Sequence, residues 1–341
     1  MKSGILNFQF KQLLVFVLLS YPLFYHSYKF STPDFGGKDY FSYYRLYKDW
    51  DFKSVESPFN MRLISSGSIY LLHKTGIYYP AQIVFDNPDY DQRVFFSAIL
   101  FNYLCVVFTC LVIYRTLMKF LEVEWLAWAG GVLYLLGFGT LFFELTPMAD
   151  ACGVLLFALI FHFYLARSRW YLVFLFLSIF QREYTFFVFG LVGVLDYLLD
   201  GKKRFYLEVA LASVLCFVTY FVLRKTLFFT DHFSHQISMD KYSEAVFKWQ
   251  FPIFPYIRQS LLIQNILFLY FVLVAYKKVK GLGFSRNHFI ITVALFVQIN
   301  IISVVAVLGN NTGRYFYIAT PLIIYYLIRE LSGLSEFSKK A

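Results

Sequence analysis

Long apolar runs recur along the whole chain, and they limit the folds that it can adopt. Several are long enough for helices of about 20 residues, which cross the ~30 Å hydrocarbon core of a membrane. Composition agrees, because 59% of the residues are hydrophobic and only 15% are charged. Soluble domains contain about 45–50% apolar and about 25% charged residues. The sequence therefore predicts an all-α polytopic membrane protein.

The formal net charge is +10, but it does not indicate a nucleic-acid partner. The basic residues are scattered at the ends of apolar segments, as expected beside the cytoplasmic ends of membrane helices. Cysteines 105, 110, 152 and 216 fall inside apolar segments without a CxxC pair, which is typical of small buried apolar residues. No cofactor or metal cluster is predicted, although a single carboxylate could contribute to a divalent-cation site.

The apolar runs divide into about ten hydrophobic helices, two of them short. The first, at about Leu13–Phe24, lacks the small residues of a signal-peptide cleavage site and is expected to remain as a transmembrane helix. The others are expected at about 94–118, 125–143, 149–166, 170–199, 205–229, 260–276, 288–308 and 315–331.

The span 170–199 is interrupted by the polar sequence Gln-Arg-Glu at 181–183. If it formed one helix, the basic clusters at 202–204 and 277–286 would face outward. Two short helices that meet at 181–183 return both clusters to the cytoplasmic side, as the positive-inside rule requires. Short helices are tolerated where protein or a water-filled cavity surrounds the turn. The span is therefore predicted to be a helical hairpin.

This topology predicts one transmembrane domain over 1–341 with both termini in the cytoplasm. A first outer loop is expected at 29–92 and a second at 230–259. Interfacial helices are expected in the first loop, where 63–76 has an apolar helical face made by Leu63, Ile64, Ile69 and Leu72.

Charged residues at the outward ends of the segments are candidates for a functional site, because ionisable groups at membrane depth are costly and mark function by default. Glu144 and Asp150 flank one such turn. The full candidate set is Asp34, Asp39 and Arg62 in the first loop, Asp150 in the turn at 143–151, Arg182 and Glu183 at the hairpin tip, and Arg314 at the start of the last helix.

Each candidate also has a structural interpretation. Asp150 would interact favourably with the dipole of the helix that it begins. Arg182 and Glu183 could pair with each other or cap the short helices, and Arg314 could reach lipid phosphates. Arg62 could pair with an acid of its own loop.

Several short motifs occur in an order that resembles a known family. They are DYFSYYRLY at 39–47, PFNMRL at 58–63, PMAD at 147–150, QRE at 181–183 and RYFYIATP at 314–321. Together they resemble the bacterial polytopic membrane glycosyltransferases of the C superfamily, which use polyprenyl-phosphate sugars. The chain lacks the paired first-loop acids and the large soluble C-terminal domain of many members.

The resemblance implies transfer of a sugar from a polyprenyl-phosphate carrier to a glycan, lipid or protein acceptor on the outer face of the cytoplasmic membrane. It implies that Asp39 acts as the general base, with Asp34 as the second choice. Arg62, Arg182 and Arg314 would bind phosphate, and Asp150 and Glu183 would contact substrate. The alternatives are an outer-face polysaccharide polymerase or ligase, a transporter, and a noncatalytic scaffold subunit.

Overall fold

The computed structural model describes residues 10–30, 38–81, 83, 85, 89–200, 203–228, 265–283, 285–287, 289–295 and 317–338. Within these residues the regular structure is entirely helical, as predicted. The α-helices with defined bounds are α1 (Phe10–Phe30), α2 (Lys38–Asp49), α3 (Leu63–Lys74), α4 (Gln92–Leu121), α5 (Glu124–Leu135), α6 (Asp150–Leu165), α7 (Trp170–Leu177), α8 (Tyr184–Leu199), α9 (Arg204–Thr226), α10 (Asn265–Val279) and α11 (Thr320–Ser338).

Three described helices, α1, α4 and α9, are long and apolar enough to cross a membrane. Helices α6 and α8, and α7 with the turn that extends it, are shorter but also apolar. These helices are consistent with a multi-pass membrane protein. The count of about ten spans, the cytoplasmic membrane and the orientation of the termini stay predictions. Asp34, Arg314 and the second outer loop at 230–259 lie outside the described residues.

The segment expected at 125–143 is not one continuous α-helix. Helix α5 ends at Leu135, and a π-helical turn follows at Thr140–Glu144. Gly137 and Gly139 lie between them, and a Cβ added at Gly139 would come within 2.2 Å of the Tyr317 ring. The helix is therefore interrupted at the position where the glycines leave room for the ring of Tyr317, which lies three residues before α11.

The hairpin predicted at 181–183 is present. Helix α7 continues into a 3₁₀ turn at Ser178–Phe180, and α8 begins at Tyr184. The Tyr164 hydroxyl of α6 donates to Asp196 near the end of α8, and the Tyr164 ring lies 5.8 Å from that of Phe205. Near the start of α7, the Tyr171 ring lies 5.5 Å from that of Phe205. The chain thus reverses direction at the polar tip.

The first loop contains two helices, α2 and α3. The buried residues of α3 are Ser65, Ser66 and Ile69, and Leu63, Ile64 and Leu72 of its apolar face are half-buried. Leu71 remains 67% exposed. Helix α3 packs against α2 and α4, and small serine side chains let helix backbones approach closely.

Helices α10 and α11 are joined by a buried ion pair in addition to apolar contacts. The Lys277 Nζ atom lies 2.6 Å from Oε2 of Glu330, and both side chains are 6% exposed. The Ser285 amide also donates to Glu330 Oε1 at 3.3 Å. Since each buried charge has an opposite charge beside it, the attraction within the pair offsets part of its desolvation cost.

Candidate functional site

The centre of the site is an ion pair between the hairpin tip and the start of α6. The Arg182 guanidinium donates from Nη2 to Oδ1 of Asp150. The Arg182 side chain is 4% exposed and that of Asp150 is 13% exposed. Asp150 is the first residue of α6, where a carboxylate also interacts favourably with the helix dipole. Arg182 therefore pairs across the fold rather than with the adjacent Glu183.

Glycine at position 153 leaves room for this arginine. A Cβ added at Gly153 would lie 2.9 Å from Cγ of Arg182 and 3.6 Å from Ile318 Cδ1. Position 153 is nearly one helical turn after Asp150, so both residues lie on the same side of α6. The Arg182 side chain thus crosses α6 over a glycine before it reaches the carboxylate.

Gln181 connects the hairpin tip to two other parts of the chain. Its Nε2 atom donates to the carbonyl oxygen of Ala149 at 2.5 Å. Its Oε1 atom accepts from the amide of Ser65 at 3.1 Å. The side chain is 2% exposed, so both bonds form in a buried environment where an unmade bond would be costly. Gln181 therefore fixes α3 and α6 relative to the tip.

A second carboxylate lies beside the ion pair. Glu144 is fully buried and ends the π-helical turn. The Tyr134 hydroxyl donates to its Oε2 atom, whereas Oε1 has no hydrogen-bond partner among the described residues. Glu144, Asp150 and Arg182 line a cavity of about 10 Å³ together with Tyr317. This volume is enough for about one water molecule.

The first loop contributes a buried arginine to the same end of the helices. Arg62 is 6% exposed, and its guanidinium lies 5.5 Å from the ring centre of Tyr43 and 5.4 Å from that of Phe59. Contacts of this kind stabilise a guanidinium away from water. Arg62 is also the residue immediately before α3, three positions from Ser65.

The C-terminal end of α9 is attached to this part of the first loop. The Arg224 Nε atom donates to the Ser57 hydroxyl at 3.2 Å, and the Asn60 amide donates to the Phe228 carbonyl oxygen at 3.2 Å. The Ser65 amide at the start of α3 donates to Gln181 of the hairpin tip. The hairpin tip and the end of α9 are therefore both attached to the first loop.

Asp39, the predicted base, is half-buried in the first turn of α2. It lies one helical turn before Tyr43 and therefore on the same side of α2 as the ring that contacts Arg62. It does not line the cavity beside Glu144. The structure thus brings Asp150 and Arg182 into direct contact and places Glu183 immediately before α8. It buries Arg62 against Tyr43 and Phe59, and it places Asp39 one turn before Tyr43.

The rest of α2 and its following turn are held by local interactions. Burial raises the pKa of the Tyr40 hydroxyl well above its usual value. The hydrogen bond from the Ser54 side chain is the main cause that lowers the pKa of the exposed Asp51 carboxyl. The Asp51 Oδ1 atom also accepts from the Lys53 amide at 3.0 Å. Asp51 therefore stabilises a turn.

Three residues of the site were not predicted as functional from the sequence: Gln181, Gly153 and Arg224. The sequence did contain a signal for Gln181, because an amide beside two charges interrupts an apolar span. It contained no signal for Gly153 and Arg224, since a glycine in an apolar helix and a basic residue at a helix end are both common. Among the described residues, no group of three or more His, Cys, Asp or Glu side chains is placed to hold a metal ion.

No protein-family model, curated protein or solved structure matches the chain. The described fold defines an all-helical protein whose apolar helices are consistent with a lipid bilayer. A charged, mostly buried site lies where the first loop, the hairpin tip, α6 and α9 meet.

Proposed function

We propose that the chain is a membrane glycosyltransferase that transfers a sugar from a polyprenyl-phosphate carrier to a glycan, lipid or protein acceptor. Transfer takes place on the outer face of the cytoplasmic membrane. The observation that carries the proposal is the convergence of Arg182 and Asp150 with Arg62 and Arg224 at one end of apolar helices. A phosphate-bearing lipid requires cations at the end of an apolar path, and this arrangement provides both.

The chemistry assigns separate roles to the acids and the arginines. The acceptor hydroxyl attacks the anomeric carbon of the sugar, and its proton passes to the Asp39 carboxylate as general base. The bond between the anomeric carbon and the phosphate oxygen breaks, and polyprenyl phosphate leaves with the electron pair. Arg62, Arg182 and Arg314 stabilise the charge that develops on the leaving phosphate, a task suited to guanidinium groups. Asp150 orients Arg182, and Glu183 contacts the sugar.

The test compares two aspartates of the same helix. Asp39→Asn removes the base, whereas Asp49→Asn removes an exposed carboxylate at the other end of α2. Purified variants in liposomes receive a radiolabelled polyprenyl-phosphate hexose, with a cell-envelope fraction as acceptor. We expect Asp39→Asn to lower the transfer rate by about 100-fold or more, the usual contribution of a general base. Asp49→Asn should retain the wild-type rate within about twofold.

Three results would contradict this assignment. Full activity of Asp39→Asn with normal folding would exclude Asp39 as the base and leave Asp34 to be tested by the same substitution. No transfer by the wild-type protein would favour a transporter or a scaffold subunit. Products that carry many added sugars would favour the outer-face polymerase or ligase.

A further inference from the structure

An apolar groove runs between α8 and α9 on the outer surface of the helices. Its volume is about 300 Å³, and its lining includes Phe186, Gly190, Val194, Val214 and Phe217. Val194 and Val214 are 44% and 58% exposed, so the groove is open along its side. Its surface is almost entirely apolar, and a hydrocarbon chain is the ligand chemistry that such a surface favours.

Two glycines one helical turn apart shape the groove. At Gly193 the two helices touch, because an added Cβ would lie 2.8 Å from the Tyr206 carbonyl oxygen. At Gly190 the nearest neighbour of an added Cβ is Cβ of Ser213, at 3.5 Å. The helices are therefore close together at Gly193, and the missing side chain at Gly190 leaves the groove open above it.

The groove leads toward the charged end of the molecule. Phe186 lies at the end of the groove nearest the hairpin tip, here called the upper end. Its ring lies 6.5 Å from the ring of Tyr220. Arg224 lies one helical turn after Tyr220 on the same side of α9, and its Nε atom donates to the Ser57 hydroxyl of the first loop at 3.2 Å. The same loop carries the buried Arg62, and guanidinium groups suit a phosphate group.

We infer that the groove between α8 and α9 binds the isoprenoid tail of the polyprenyl-phosphate carrier, with its phosphate beside Tyr220 and held by Arg224 and Arg62. The inference rests on the proposed function, because the same lipid is the sugar donor. It adds the location of the tail and a role for Arg224, which the sequence did not indicate.

The first test fills the groove with a large side chain. Val214→Trp places an indole in the groove. Val218→Trp adds the same side chain one turn away on α9, in an exposed stripe with Leu215 and Val222 that does not line the groove. Binding of a photoreactive C55 polyprenyl phosphate is measured in nanodiscs of phosphatidylcholine. We expect Val214→Trp to weaken binding by at least about tenfold and Val218→Trp to leave it unchanged.

The second test addresses the phosphate. Arg224→Gln removes the charge at the upper end, and Lys225→Gln removes the neighbouring exposed charge on the same helix. Wild-type protein should prefer polyprenyl phosphate over the uncharged polyprenol by about tenfold or more, the scale of one charged hydrogen bond. Arg224→Gln should abolish that preference, and Lys225→Gln should retain it.

The outcomes separate this inference from the proposed function. If the wild-type protein binds the carrier and Val214→Trp binds it equally well, the groove assignment is wrong and the transferase remains. If phosphatidylglycerol displaces the carrier at equal concentration, the groove is a general anionic-lipid site and the inference fails. If wild-type protein binds no polyprenyl phosphate, both the groove assignment and the transferase are refuted.

Discussion

The ion pair between Arg182 and Asp150 should contribute strongly to the free energy of unfolding. Asp150→Asn leaves the guanidinium buried at 4% exposure without its charge partner. Removal of one member of a buried pair costs about 3–5 kcal/mol, and little of this is screened because both side chains are mostly buried. Arg182→Met should cost less, about 2–3 kcal/mol, since Asp150 is 13% exposed and retains the helix dipole. The double variant should be no less stable than Asp150→Asn alone.

The measurement is the free energy of unfolding in mixed micelles titrated with SDS. The two single variants and the double variant form a cycle, which we expect to give a coupling energy of about 2–3 kcal/mol. The control is the exposed pair Arg204–Glu208, in which the arginine side chain is 90% exposed. Arg204→Met should change stability by less than about 1 kcal/mol. Additive losses in the Arg182–Asp150 cycle would refute the reasoning.

Two further predictions concern helix packing and pH. Gly193→Val should destabilise the protein by about 1–3 kcal/mol, because a Cβ there meets the Tyr206 carbonyl oxygen at 2.8 Å. The same SDS titration should show a smaller loss of stability for Gly190→Val. Equal losses would contradict the close contact at Gly193. The Lys203 ammonium lowers the pKa of the Asp200 carboxyl through a 2.7 Å hydrogen bond. This contribution to stability is present above the unfolded value of about 3.9 and is lost as pH falls through the folded pKa. The thermal midpoint of the wild-type protein should therefore exceed that of Asp200→Asn at pH 7, and the difference should shrink below about pH 4. A difference that does not change with pH would contradict a stabilising contribution of the Asp200 carboxylate.

Several structural features were readable from local sequence. Helix length and apolarity follow from composition over short windows, and they predicted α4 and α9 within three residues of their ends. Helix α1, expected at about Leu13–Phe24, continues to Phe30. The hairpin tip was also predictable, since three polar residues at 181–183 cannot continue an apolar helix without a burial cost. Asp150 and Arg182 were expected at the same level because each lies at the end of an apolar helix, and the structure places them in direct contact. The functional roles of all seven candidate residues stay predictions.

Other features depend on contacts between distant parts of the chain. The break after Leu135 is required by the ring of Tyr317, which belongs to another part of the sequence. Ser65 and Ser66 of α3 are buried because α4 and α2 lie against them, which the local pattern of α3 does not indicate. Arg182 was as compatible with Glu183 as with Asp150, and only packing selects between them.

By itself, the sequence determined a helical, membrane-type protein with charged groups at the helix ends, because apolar periodicity and the cost of burying charge are local properties. The tertiary structure alone decided that Gln181 bonds to Ser65, 116 residues away, that Glu144 is fully buried beside the ion pair, and that α8 and α9 leave a groove at Gly190. These arrangements depend on which helix surfaces approach each other, and that is decided by packing of the whole chain.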